Sequence, residues 1–387
     1  MPPCPPHPAG ASHVPVAAGV GAGAVVTVTP AVHHPTNHEA MTQREIARRL
    51  AALKGFAFAG EFERGRSYDG PCYFVPAETI VGCEEAATMG IACEDDLFGA
   101  VVPHAFMGAK SITHPLIDAS ATAPTGWCAA FCEDVRDAVL EGYAAFDVED
   151  ARRAAVRLLE HGPARVKRAA GIGGQGQSVC HDADQLDDVL RDIDVEELAT
   201  LGLVIEENLH AVTTYSVGQV QVAGVTASYC GTQRLTPNNR GVEVYGGSTL
   251  LVARGGFEAL LRLPLPPQTR HAIAQARRYD TAALHRFTGM FGSRRNYDVA
   301  TGTNAQGAAR SGVLEQSWRM GGASGAEVGA LEAFRDDPQL DVVRATTTEV
   351  FGECDPPPAH ATVYFRDVDE RVGMLTKFAV VERHAHP

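Results

Sequence analysis

The run ARVKRAAGIGGQGQSV at residues 164–179 carries one lysine, Lys167, at the end of a short extended stretch. Four glycines follow it: Gly171, Gly173, Gly174 and Gly176. Backbone N–H groups in such a turn can approach an anion closely, and the lysine adds a point charge, which together suit the phosphates of a nucleotide. Three phosphate-binding templates compete. A P-loop needs Gly-Lys-Ser/Thr, which is absent, since Gly108-Ala109-Lys110-Ser111 has one residue too many. The dinucleotide fingerprint GxGxxG is spelled by Gly171, Gly173 and Gly176, but it requires a helix directly after the last glycine. Here Gln177-Ser178-Val179-Cys180 reads as a strand and the next helix waits until about residue 183. The loop therefore reads as the tip of a β-hairpin. A Rossmann-type dehydrogenase stands as the competing reading and needs a helix after Gly176.

Working outward, Asp147 caps a helix expected to reach His161, with Val156 and Leu159 inward and Gly162-Pro163 as its stop. On the other side, Asp182 with Gln185 three residues later starts a helix whose face is Leu186, Val189, Leu190 and Ile193. A further helical stretch ends at Gly202, and Leu203-Val204-Ile205 forms an apolar strand that runs into Glu206-Glu207. Earlier in the chain, strands are expected at 21–28 and 72–75, a helix at 42–54, and a mixture of strand and loop over 98–118. Later, β-rich segments cover 214–223, 225–233 and 242–253. A helix over 268–287 is expected to bury Ile273, Leu284 and Phe287. Strands at 295–299 and 312–317, a helix at 326–335, and strands at 361–365 and 374–382 complete the reading.

Composition bounds the function. A chain of 387 residues calls for two or three domains. Its formal net charge of −14 argues against nucleic acid or an anionic membrane as the main partner. Nine scattered cysteines without CxxC spacing argue for reduced thiols and a cytoplasmic protein. No apolar run is long enough for a membrane span, no signal peptide is expected, and residues 1–20 read as a disordered tail. His33-His34, near that tail, reads as solvated. The sequence carries no reading of oligomeric state.

Four ordered pieces make the pattern specific: Lys167 with GIGGQG, LVIEENL at 203–209, NYDV at 296–299, and VLEQSWRMGG at 313–322. Together they resemble the ATP-grasp superfamily. The runs SRRNYDV (293–299), SGVLEQSWRMGGASGAE (311–327) and YGGSTLLVARG (245–255) are similar to an uncharacterised bacterial family of ATP-grasp-like proteins, domain of unknown function 3182. That resemblance covers all but the first twenty or so residues. It implies an α/β (α+β) chain with the ATP-grasp fold: an N-terminal α/β domain at 21–125, a small hinged lid subdomain at 126–212 and a C-terminal mixed-sheet catalytic domain at 213–387.

The resemblance also implies roles. Lys167 would contact the α/β phosphates beneath a loop of Gly171, Gly173, Gly174 and Gly176, and Lys110 would be a second nucleotide lysine. Glu206 and Glu207 would stand at the hinge near base and ribose. Asp298, Glu315 and Ser317 would hold Mg²⁺ (or Mn²⁺), and Arg319, four residues after Glu315 and so on its side of a regular strand, would stabilise a γ-phosphate or acyl-phosphate. Read from the residues alone, Lys167 is otherwise a surface lysine, Glu206 and Glu207 a solvated strand end, and Asp298 and Glu315 buried carboxylates paired with Arg294 or Arg295. Gly321-Gly322 and Ser324-Gly325 suit either backbone approach to a substrate or a plain turn. The implied activity is an ATP- and Mg²⁺-dependent carboxylate–amine (or –thiol) ligase acting through an acyl-phosphate on a small acid. The alternative is a nucleotide-binding module without ligase turnover. Two departures favour that alternative: Ser317 stands where the superfamily strand carries Asn, and Thr213-Thr214 offers no carboxylate for the ribose.

Overall fold

The computed structural model describes residues 23–29, 37–169 and 176–383. Gly171, Gly173 and Gly174, the tail expected at 1–20 and His33-His34 all lie outside the described residues.

The glycine run closes a β-hairpin. Strands Ala164–Arg168 and Gln177–Cys180 pair antiparallel with Lys167 opposite Gln177. Gly176 ends the loop at φ 72°, a left-handed conformation that glycine adopts without a Cβ clash. The next helix, Ala183–Arg191, begins only after the second strand. The Rossmann reading therefore fails on its own criterion.

The hairpin belongs to a four-stranded antiparallel sheet in the order Gly142–Ala145, Leu203–Glu207, Ala164–Arg168, Gln177–Cys180. Helix Val148–Leu159 packs against it, with Asp147 accepting from the Asp150 N–H at its start. The buried stripe of this helix is Ala151, Ala154, Ala155 and Leu158. Val156, expected inward, is 45% exposed. Three alanines let the helix lie close to the sheet, and this turns Val156 outward. Asp182 caps the following helix as expected, while the Gln185 side chain reaches the N–H of His181.

The larger sheet has eight strands, all paired antiparallel. Their order is Ala309–Ser317, Arg294–Thr303, His210–Val222, Val225–Pro237, Glu243–Arg254, Val342–Phe351, Gly373–Glu382 and Thr362–Asp369. Strand Val342–Phe351 was not anticipated and joins the middle of the sheet to its C-terminal hairpin. Helix Pro267–Arg286 covers one face through Ile273, Ala276 and Tyr279, packed with Val217 and Tyr297. Leu284, expected to be buried, is 38% exposed, because Ala282, Ala283 and Phe287 face the core instead. Helix Ser324–Asp336 covers the other face with Val220, Tyr229 and Leu250.

Successive side chains of a strand point to opposite faces, and two adjacent arginines use this to fix both helices. Arg294 pairs with Glu327 of helix Ser324–Asp336 at 2.7 Å. Arg295 pairs with Asp280 of helix Pro267–Arg286 at 2.6 Å. Near the N-terminus, strands Ala57–Glu61, Ala24–Val28 and Cys72–Pro76 form a parallel sheet, with helix His38–Lys54 as the crossover after Ala24–Val28. Strand Ala100–Val102 then approaches the end of strand Ala309–Ser317, where the Ala100 N–H donates to the Trp318 carbonyl at 2.8 Å. Among the described residues no helix is long and apolar enough to cross a membrane.

Candidate active site

Lys167 and Glu206 lie diagonally across neighbouring strands. Arg165 opposes Glu206 and Lys167 opposes Val204, so Lys167 and Glu206 share one face. The ammonium stands 2.5 Å from Glu206 Oε1, with both side chains nearly inaccessible, which excludes the surface-lysine reading. His114 Nε2 lies 3.2 Å from the second oxygen, Oε2, and His114 Nδ1 has no partner among the described residues. Burial alone would raise the Glu206 carboxyl. The Lys167 charge and the His114 hydrogen bond more than reverse this and hold it below its ordinary range.

Glu207, the next residue, faces the other way. It takes two N–H···O contacts from Arg310 Nε, at 2.8 and 3.1 Å, and one from the Glu141 N–H at 3.2 Å. Both carboxylates expected near base and ribose are therefore already engaged by protein cations.

Asp298 and Glu315 stand directly opposite each other on adjacent strands of the large sheet. The salt-bridge alternative for this pair does not hold, since Arg294 and Arg295 are committed to Glu327 and Asp280. Asp298 instead accepts from two amides at Oδ1, Gln233 Nε2 at 2.8 Å and Asn296 Nδ2 at 3.1 Å. Burial and the facing Glu315 charge push the Asp298 carboxyl up to about 6. Lys110 Nζ lies 3.2 Å from Glu315 Oε2.

The segment 110–114 joins the two centres. It is a tight 3₁₀ turn, Lys110–Thr113, followed by His114. Lys110 reaches Glu315 of the large sheet and His114 reaches Glu206 of the small one. Gln316, beside Glu315 but on the opposite face, holds the preceding loop through the carbonyls of Met107 and Ala109. Ser111 donates to the Leu201 carbonyl in the small sheet's helical arm.

Ser317 lies opposite Asn296, and its carbonyl accepts from Arg294 Nη1 at 2.9 Å. Arg319 departs from expectation. The strand ends at Ser317, so Arg319 does not continue the alternation that would bring it beside Glu315. Its Nη1 donates to the Met320 carbonyl at 2.8 Å. Burial and nearby Arg294 make its charge less favourable, offset in part by Glu315, Glu78 and Glu39.

His114, Gln233, Asn296 and Arg310 escaped the sequence reading. For Asn296 a signal existed: it precedes Asp298 by two residues, and so shares its face. His114 and Gln233 come from distant segments and leave no local trace.

Among the described residues no three His, Cys, Asp or Glu side chains gather into a metal cage. Two facing carboxylates with amide neighbours do suit a hard divalent cation that takes its remaining oxygens from phosphates and water.

The small antiparallel sheet with its Lys167 hairpin and the larger antiparallel sheet with its Asp298–Glu315 pair are the pieces that the sequence resemblance implies, and the chain has the ATP-grasp fold. Within it, the chain belongs to the family described as protein of unknown function (DUF3182), whose profile matches residues 25–379. No curated protein matches the chain. Solved structures similar to it include a biotin carboxylase from Campylobacter jejuni in complex with an ATP analogue, 11% identical, TM-score 0.49, covering 92% of this chain and 87% of that one. Another is a phosphoribosylamine–glycine ligase from Thermotoga maritima, 13% identical, TM-score 0.46, covering 92% of each chain. A third is a D-alanyl-alanine synthetase A from Vibrio cholerae, 11% identical, TM-score 0.45, covering 76% of this chain and 88% of that one.

Proposed function

We propose that the chain is an ATP- and Mg²⁺-dependent ligase that joins a small-molecule carboxylate to an amine or thiol. The observation that carries this reading is the Asp298–Glu315 pair with Lys110 upon it, linked through one turn to the buried Lys167–Glu206–His114 group.

In this reading residues 126–212 act as a lid, and the loop of Gly171, Gly173, Gly174 and Gly176 closes over the phosphates. Lys167 is held at the base of that loop by Glu206 and turns its charge to the α/β phosphates. Asp298 and Glu315 would hold Mg²⁺, with Ser317 at their edge. The cation, when bound, neutralises charge on the transferring phosphoryl group. Lys110, released from Glu315, and Arg319 would place positive charge beside the γ-phosphate and the acyl-phosphate formed from the substrate acid. The amine or thiol then displaces phosphate.

The test is incubation with MgATP and pools of small acids with amines or thiols, reading ADP and phosphate release. Turnover that is lost in Lys167→Ala and Glu315→Ala supports the ligase.

A second reading is a nucleotide-binding module without turnover. It is favoured by one observation: Glu206 and Glu207 are both engaged by protein cations, leaving neither for a ribose. Tight ATP binding without product for any acceptor supports this second reading, and absence of MgATP binding removes both.

A further inference from the structure

We propose that Asn296 supplies the amide oxygen that Ser317 lacks, and so serves with Asp298 and Glu315 as a third ligand for the divalent cation. This rests on the cation reading above. It names a residue on the neighbouring strand, where the sequence resemblance points only to Ser317.

The register brings the candidate ligand into place. Asn296 opposes Ser317 just as Asp298 opposes Glu315, and all four side chains share one face of the sheet. The position that lacks an amide therefore has one directly across the ladder, within about 5.5 Å between Cβ atoms.

The hydrogen-bond count then decides which way that amide faces. The Tyr229 hydroxyl lies 2.7 Å from Glu327 Oε1 and 3.0 Å from the Asn296 atom placed as Oδ1. A phenol has a single hydrogen. A phenol ordinarily gives up that hydrogen only near pH 10, so at neutral pH it is kept. The carboxylate is the nearer acceptor, and a bond to an ionised group is the stronger one. Glu327 is held bidentately by Arg294, at 2.8 and 2.7 Å, and is thereby fixed as that acceptor. The Tyr229 oxygen is then left as an acceptor toward Asn296, and the group it needs there is the amide NH₂. The two ends of an amide exchange by a half-turn that leaves the heavy-atom outline unchanged. Ser216, at 2.7 Å, can donate or accept and tolerates either orientation.

Turned this way, the Asn296 oxygen faces Asp298 Oδ1 at the 3.1 Å now spanned by Nδ2. Two oxygens so close repel unless a cation lies between them. Neighbouring ligands of an octahedral Mg²⁺, each at 2.0–2.1 Å, stand about 3 Å apart, so the spacing is that of one octahedral edge. Gln233 Nε2 stays as the donor that orients Asp298.

The experiment is Mn²⁺ titration of the full chain with a non-hydrolysable ATP analogue, following the electron paramagnetic resonance signal of the free ion, with thermal unfolding recorded for each variant. Asn296→Leu is expected to weaken Mn²⁺ binding by at least about tenfold. Ser317→Asn, added to that variant, is expected to restore at least half of the logarithmic loss. Asn296→Asp, which keeps an oxygen in place, is expected to bind Mn²⁺ no more weakly than the parent. Parent-like binding by Asn296→Leu, with binding lost in Asp298→Ala, overturns the assignment of Asn296 and spares the cation reading. Parent-like binding by Asp298→Ala overturns both. Should Asn296→Leu fail to fold, weaker binding by Asn296→Asp overturns the assignment.

Discussion

Two lysine–carboxylate pairs sit at either end of the same turn, and they are built to opposite ends. Lys167–Glu206 is closed: 2.5 Å apart, almost wholly inaccessible, with His114 as a third partner and a carboxyl held low. Lys110–Glu315 is open: 3.2 Å apart, with Glu315 30% exposed and a second carboxylate facing it. The first has its charges balanced by the protein. In the second, Lys110 pairs with Glu315, and Asp298, buried and facing that carboxylate, holds its proton up to about 6. A satisfied pair fixes geometry, and an over-acidic pair is a place for an added cation.

The sharpest way to break this comparison is Glu206→Ala. It strands Lys167 as a buried, unpaired charge and is expected to lower unfolding free energy by about 3–5 kcal/mol, measured by urea denaturation. A loss below about 1 kcal/mol would mean that the closed pair is no more than a surface contact. Next is Asp298→Asn, which relieves like-charge crowding while keeping an acceptor for Gln233. In metal-free buffer it is expected to stabilise the protein by about 1–2 kcal/mol and, with the cation held as proposed, to abolish the rise in melting temperature expected of the parent with Mg²⁺.

The two pairs should also respond to pH with opposite sign. Asp298 titrates at about 6 when folded, against an ordinary 3.8, so the folded state holds the extra proton between those values. Its contribution to stability therefore falls as pH rises across that window. Glu206 is held below its ordinary 4.5, so its contribution is present above that value and is lost as pH falls through the lower folded one. Urea midpoints of the parent and Asp298→Asn should separate as pH climbs toward 6, and a constant difference would remove the effect. The smallest change is expected from Arg310→Ala. Arg310 is 38% exposed, so losing its contact with Glu207 should cost well under 1 kcal/mol. Hydrogen exchange in strand Leu203–Glu207 should nonetheless rise, and unchanged exchange would mean that this contact does not restrain the strand.

Much of this molecule was legible in its sequence. Lys167 before four glycines, with extended residues on both sides, specified the hairpin, because alternation and turn chemistry are local. The Asp298 and Glu315 strands were legible for the same reason. Their facing register was not, since pairing depends on the whole sheet. Val156 and Leu284 were misassigned because alanines, weak in any hydrophobic count, form the contact stripes of their helices. Strand Val342–Phe351 was missed, as its threonine-rich centre resembles a polar linker. Arg319 was expected to extend an alternation that stops two residues earlier, and strand ends are set by what docks on them, here the Trp318 carbonyl taken by Ala100.

The turn at Lys110–Thr113 has one more consequence. It is anchored to the large sheet by Gln316 and to the small sheet by Ser111 and His114. It therefore works as a fulcrum. Any swing of the small sheet must either lever Lys110 against Glu315 or break the His114–Glu206 contact. With a nucleotide bound as proposed, its capture at one end and charge balance at the other would be mechanically geared, and Lys110, Ser111, His114 and Gln316 would set the gearing ratio.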